Sequence, residues 1–295
     1  MHRHDWRELP ASVRAAVREH CGDVVDTRTP DAGRNSHFAA TLHLATGGTV
    51  FCKGVRVDSN AARTHRREAH VNRAIHTAFA PRLLWRIETD GWLMLGFEHV
   101  TGRHPSLTPG SADLPVIAET LSSLARDLTP NPVDDIPSLS HKWARAKPWH
   151  RLRDDPAPGL DEWTRARLNR FAALEPVAAE LVTGHTLTHT DVHELNLLVD
   201  DRSAHLVDWA WAHHAAAWVD TAFLLIRLIQ HGHTPAEAES WATTVDSWRA
   251  APSAVDAFAI QIYGMWEHLR HTDPRPIREA PTRAARRWAM HRSGE

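Results

Sequence analysis

Five side chains in this sequence have the types and spacing to do phosphate chemistry. In Leu187-Thr-His-Thr-Asp-Val-His-Glu-Leu-Asn-Leu-Leu-Val199, an aspartate at 191 is followed five residues on by Asn196, and Asp208 comes twelve residues later in His205-Leu-Val-Asp-Trp209. A short turn at residues 200–203 separates two apolar runs, so a β-hairpin is predicted, and it would fold Asp191, Asn196 and Asp208 back toward one point. Hard oxygen donors of this kind suit Mg²⁺, which is held by one or two protein oxygens together with phosphates. Far upstream, Lys53 lies inside the apolar run Val50-Phe-Cys-Lys-Gly-Val55, and Glu68 follows in a segment with helical spacing. The chain has 31 arginines but only three lysines, which makes an apolar-flanked lysine worth noting.

The elements that must position these groups can be read from pattern. Val13, Ala16 and Val17 predict a short helix over 12–20, stopped at Cys21-Gly22. Alternation at Phe38, Ala40, Leu42 and Leu44, a Thr46-Gly47-Gly48 turn and the run 50–55 predict a hairpin, and 83–88 with 92–97 about Thr89-Asp90-Gly91 predict a second. Between them, residues 61–79 read as a helix. Beyond residue 100 the pattern is mostly helical: Ile117, Leu121, Leu124 and Leu128 lie behind caps at Ser111 or Asp113. Residues 161–183 continue this pattern, with Pro176 expected to split the segment. Residues 221–229 are apolar nearly all round except Arg227, as in a buried helix.

The pattern resembles the protein-kinase-like fold in its aminoglycoside phosphotransferase and choline kinase branch, over roughly residues 30–270. The family motif is His-Gly-Asp, four residues, Asn, then an aspartate before Trp or Phe-Gly; here it reads His189-Thr190-Asp191, Asn196 and Asp208-Trp209. The resemblance implies an α+β architecture of two lobes. An antiparallel-sheet N-lobe would span 1–98 and a helical C-lobe, carrying the catalytic loop and acceptor site, 99–295. It implies that Asp191 orients or deprotonates an acceptor hydroxyl and that Asn196 and Asp208 hold Mg²⁺ on ATP, GTP being compatible with the same residues. It further implies that Lys53 pairs the nucleotide phosphates with Glu68 as its partner, although Glu88 and Glu98 compete for that role. Leu95 to Gly102 resembles the hinge, with backbone groups around Glu98 and Val100 set against an adenine edge. Gly33-Arg-Asn-Ser36 stands in the place of the phosphate-covering loop, which makes Asn35 and Ser36 candidates. Asp220, in Ala217-Trp-Val-Asp-Thr-Ala222, would brace the loop backbone, and His189 would organise the loop. One departure is Thr190, where the antibiotic kinases have glycine and protein kinases arginine.

Composition sets the outer limits. The 295 residues with formal net charge −2 lack the positive field of a dedicated nucleic-acid binder. Two cysteines are too few for a disulfide framework, and neither a secretory apolar region nor an 18-residue apolar span occurs, so a cytoplasmic protein with no membrane partner is expected. The closest histidine groupings, His213-His214 and His231-x-His233, do not read as a zinc site, because adjacent histidines rarely converge on one ion. The expected function is transfer of the γ-phosphate of ATP to a hydroxyl of a small molecule, an antibiotic or related metabolite. The acids from 221 to 295 are interspersed with arginines and histidines, which does not mark the clearly acidic face that a polycationic aminoglycoside needs. Trp211, Glu267 and His268 are candidates for the acceptor pocket. Two alternatives are a kinase of a primary metabolite such as an amino alcohol, sugar or homoserine-like compound, and a nucleotide-binding pseudokinase acting on a partner. The residues indicate no oligomeric state.

Overall fold

The computed structural model describes residues 3–30, 36–157 and 159–294. By contact the chain divides into two compact units, residues 1–105 with 195–212, and residues 106–194 with 213–295. The boundary expected after residue 98 thus becomes an exchange, in which an 18-residue piece of the later chain joins the first unit.

In the first unit, α1 (Ala11–Cys21) ends at Gly22, whose φ of 87° suits a residue without a Cβ. Five strands follow: β1 (Val24–Arg28), β2 (Phe38–Leu44), β3 (Thr49–Arg56), β4 (Leu83–Thr89) and β5 (Trp92–Glu98). They form one antiparallel sheet in the order β1-β2-β3-β5-β4. Side-chain alternation gives the sheet two faces. Ala40, Leu42, Val50, Cys52, Trp92 and Met94 pack with Val13 and Val17 of α1. The opposite parity, Val55, Leu93, Leu95 and Phe97, packs with Ala62 and Ala69 of α2 (Ala61–Ala74). Lys53 shares the parity of Val55 and therefore faces α2.

Helix α2 stops five residues short of the predicted end. Ile75 is extended, and the Asn72 amide donates to the Pro81 carbonyl at 3.0 Å, which fixes the chain as it turns back toward β4. The strand β1 has no apolar alternation, so its pattern gives no strand signal; it is an edge strand held by main-chain pairing to β2. The loop read at 31–36 lies outside the described residues except for Ser36.

The second unit contains α3 (Asp113–Asp127), α4 (Leu139–Ala146), α5 (Pro148–Asp154), α6 (Glu162–Arg165) and α7 (Leu168–Leu181). Strand β6 (Thr186–Thr188) follows. The chain then passes through β7 (Leu197–Val199) and β8 (Ala204–Leu206), a hairpin of the first unit, and returns in β9 (His213–Ala215), which pairs with β6. Last come α8 (Val219–Gln230), α9 (Pro235–Ala242), α10 (Pro252–Thr272) and α11 (Glu279–Arg292). No helix among the described residues is long and apolar enough to cross a membrane.

Pro176 does not split its helix. The break falls instead at residues 166–167, and Pro176 sits inside α7. The lost hydrogen bond is outweighed by a continuous inward face of Phe171, Ala172, Glu175, Ala178 and Ala179, with the Glu175 carboxylate accepting from the Trp149 N–H at 2.6 Å. Aromatic packing forms the core: Trp149 lies 4.8 Å from Phe171, Trp143 5.1 Å from Phe258, and Phe258 5.9 Å from Trp288.

Asp161 ties α6 to α11. It caps α6 by accepting from the Thr164 N–H and takes two bonds from Arg286, at 2.8 and 3.0 Å. Burial alone would raise its carboxyl, but the hydrogen bonds from Arg286 and Thr164 hold it at about 2. A carboxyl depressed on folding stabilises above its ordinary value and loses that contribution as the pH falls toward the folded one. Asp161→Ala is therefore expected to cost about 1–2 kcal/mol at pH 7 through loss of cap and ion pair, with the difference from parent shrinking between about pH 4 and pH 2. Urea denaturation across that range measures both.

Candidate active site

The chemistry-bearing residues fall in both units. In the first, Lys53 is buried on β3, and its Nζ lies 2.7 Å from Glu68 Oε2 and 3.3 Å from Asp208 Oδ1. Glu68 belongs to the inward stripe of α2 with His65, Ala69 and Asn72. The competing carboxylates are engaged elsewhere, Glu88 with Arg66 and Arg86, and Glu98 with Arg82. Burial by itself would lower the Lys53 ammonium, but Asp208 and Glu68 more than offset this and raise it, so it stays charged.

Asp208 reaches Lys53 because the β7–β8 hairpin belongs to this unit. Arg103 and Val199 exchange main-chain bonds of 3.0 and 2.8 Å, and the Leu206 N–H donates to the Phe79 carbonyl at 2.8 Å. Gly102 is required at this seam, since a Cβ there would meet the Val199 carbonyl oxygen at 2.9 Å and its φ is +153°. Beyond the hairpin, Arg67 of α2 bonds the Ala212 carbonyl. Asn196 and Asp208 flank the hairpin, joined by the Val207 N–H donating to the Asn196 carbonyl at 2.9 Å. Asn196 is buried, whereas the Asp208 side chain is 39% exposed and can meet a cation from solvent. An amide oxygen and a carboxylate beside a buried ammonium are a donor set that fits Mg²⁺ shared with phosphates.

Ser36 lies against α2. The His65 Nδ1–H donates to the Ala61 carbonyl at 3.1 Å, leaving Nε2 to accept the Ser36 hydroxyl proton at 3.0 Å. Burial, with the Lys53 charge adding to it, lowers His65 to about 4 and keeps the ring neutral. Asn35 lies outside the described residues. At the end of β5, the Glu98 N–H donates to the Arg82 carbonyl at 2.9 Å, and Val100 follows, half-buried. Trp211 is 42% exposed, three residues beyond Asp208.

In the second unit, Asp191 sits on the loop after β6. Asp220, at the start of α8, accepts from the main-chain N–H groups of His189 and Thr190, both at 2.8 Å. The Asp191 N–H donates to the buried His189 Nδ1 at 3.2 Å. His193 lies 3.7 Å from the Asp191 carboxylate. Burial would raise Asp191, but His193, His189 and Arg227 together hold it below the usual carboxylate range. Arg227, a charged residue within the apolar run of α8, also attracts Glu194.

Of the acceptor candidates in this unit, Glu267 is buried in a structural pairing with Arg270 at 2.5 Å and His271 at 2.9 Å, and His268 is held below its ordinary value by burial. His65, which meets Ser36, and His193 and His213, which meet Asp191 and Thr190, carry no motif signal in the sequence. His213 and His214 do not converge, since one meets Thr190 and the other the Gly184 carbonyl.

A model of the phosphotransferase enzyme family matches residues 35–258. The chain belongs to that family. It is a phosphotransferase enzyme of protein-kinase-like fold. Among solved structures, macrolide 2'-phosphotransferase MphH from Brachybacterium faecium is 18% identical with TM-score 0.62, covering 93% of this chain and 96% of its own. Choline kinase LicA from Streptococcus pneumoniae is 11% identical with TM-score 0.61, covering 97% and 100%. The choline/ethanolamine kinase family protein from Mesorhizobium loti is 11% identical with TM-score 0.63, covering 96% and 93%. No curated protein sequence matches the chain.

The buried ion pair sets a test of the site's construction. Lys53→Met removes the counter-charge of Glu68, whose carboxyl burial already pushes up to about 7 against the attraction of Lys53. In the variant the folded state takes up a proton that the unfolded state does not hold near neutrality, so its stability falls as the pH rises. The expected loss is about 3 kcal/mol at pH 8 and clearly less at pH 5.5, read from urea midpoints at the two values.

Proposed function

We propose that this phosphotransferase moves the γ-phosphate of ATP to a hydroxyl of a small molecule, an antibiotic or related metabolite. The observation that carries this reading is the buried Lys53 bound at once to Glu68 and Asp208, with Asn196 on the same hairpin. A charged ammonium fixed by two carboxylates is a preorganised phosphate contact that needs no rearrangement to act.

In this reading Lys53 draws charge from the transferring phosphates while Glu68 keeps its amine from swinging away. Asn196 and Asp208 would hold Mg²⁺, whose chemistry is to neutralise phosphate charge and fix the phosphate geometry. Asp191 accepts the proton of the acceptor hydroxyl on a carboxylate oxygen as the oxygen attacks in line. Its depressed pKa keeps it ionised at neutral pH and ready to accept. Asp220 and His189 set the direction of that carboxylate through the main chain. The complete set of Lys53, Asp191, Asn196 and Asp208 favours turnover over a pseudokinase that only binds nucleotide.

The acceptor follows from charge. Glu239 and Asp256 are bound to Arg292, Glu267 to Arg270, and Asp273 to Arg275 and Arg278. Carboxylates already neutralised by arginine do not make a polycation site, which supports an acceptor carrying no more than a single positive charge. Macrolides and choline, for which two fold neighbours are named, both meet that limit, and both belong in the assay panel.

The test is consumption of Mg²⁺-ATP against macrolides, aminoglycosides, nucleoside antibiotics, sugars and amino alcohols, with mass spectrometry for the added phosphoryl group. Asp191→Ala is expected to keep nucleotide affinity within about twofold while lowering transfer about a thousandfold. Full turnover in that variant removes Asp191 from the mechanism.

A further inference from the structure

Thr190 holds the backbone at φ +59°. A β-branched side chain is a genuine outlier in that left-handed region, and such a conformation persists only where the surroundings over-determine it. Thr190 is buried, and two of its groups are held: the N–H by Asp220 Oδ1 at 2.8 Å and the hydroxyl by His213 Nδ1 at 3.1 Å. His213 is itself anchored. It is buried on β9, its carbonyl accepts the Thr188 hydroxyl at 2.9 Å, and it stands opposite Thr188 in the β6–β9 register. The next residue along from the strained position is Asp191.

We propose that His213 is a positioning residue of the transfer reaction, its ring nitrogen clamping the Thr190 hydroxyl so that the strained peptide aims the Asp191 carboxylate. This rests on the reading of Asp191 as the group that orients the acceptor. The clamp is needed because residue 190 is threonine. A glycine there adopts positive φ without steric cost and offers no hydroxyl to hold, so dependence on His213 is conditional on the side chain at 190. The His213–Thr190 pair thus offsets the cost of a β-branched residue at positive φ.

The test compares the parent chain, His213→Leu, Thr190→Gly and the double variant by amide hydrogen exchange over residues 186–193, and by Mg²⁺-ATP turnover with water as the probe acceptor. His213→Leu is expected to speed exchange of the 189–191 amides and to lower kcat, each about tenfold, with KM for ATP unchanged within about twofold. Against Thr190→Gly as background, the same change is expected to alter either quantity by less than about twofold. His213→Asn, whose amide can occupy the place of Nδ1, is expected to retain most of the parent behaviour. If His213→Leu does not fold, Thr190→Val keeps the shape and removes the hydroxyl, and the same loosening and kcat loss are expected, with Thr190→Ser as its rescue. Equal losses from His213→Leu in both backgrounds, or unchanged exchange at 189–191, overturn the clamp. An Asp191→Ala variant that still turns over in the same assay overturns the role of Asp191 instead, and the exchange measurement still decides whether His213 holds the loop.

Discussion

A lysine ammonium cannot lie in a protein interior without a counter-charge, and the first unit is organised around that constraint at Lys53. The parity of β3 turns Lys53 toward α2, and the inward stripe of α2 supplies Glu68. The second carboxylate, Asp208, comes from the end of a hairpin and lies 155 residues after Lys53 in the sequence. Main-chain bonds from Arg103 and Phe79 draw that hairpin into the unit, and Gly102 allows the approach. The exchange of residues 195–212 between units is therefore what completes the charge balance of the lysine.

The loop before the hairpin has a constraint of its own. Two consecutive N–H groups point at one carboxylate, Asp220, and this fixes the peptide that precedes Asp191. His189 accepts from Asp191 itself, and His193 and Arg227 keep the Asp191 carboxyl ionised in spite of burial. Thr190 carries the conformational cost of the arrangement and His213 receives its hydroxyl. The two groups of residues, each within its own unit, thus differ in construction. One is set by charge neutralisation across a sheet and helix, the other by hydrogen bonds along a strained loop.

Much of this was legible from residue pattern. Both hairpins of the sheet follow from alternation and Gly-containing turns, and they lie where expected, at 38–44 with 49–56 and 83–89 with 92–98. The ambiguity over which glutamate meets Lys53 was not resolvable in the sequence, since Glu68, Glu88 and Glu98 all lie on elements near β3; burial on α2 and competing arginines resolved it. The strand β1 escaped because main-chain pairing at a sheet edge leaves no apolar signature. Pro176 misled because its local cost was visible and the packing that outweighs it was not. Glu267, read as a pocket residue, lies buried between Arg270 and His271, a pairing at helical i+3 and i+4 spacing that the sequence did contain.

By itself the sequence determined the two sheet hairpins, the place of Lys53 inside an apolar run and the order of Asp191, Asn196 and Asp208, because these depend on periodicity and spacing along one chain. Tertiary structure alone decided that Glu68 and Asp208 share one ammonium, that Asp220 gathers two adjacent N–H groups, and that His213 holds Thr190. Those outcomes depend on burial and on hydrogen bonds between residues 15 to 155 positions apart, and the energy of such contacts is fixed only when folding removes water from both partners.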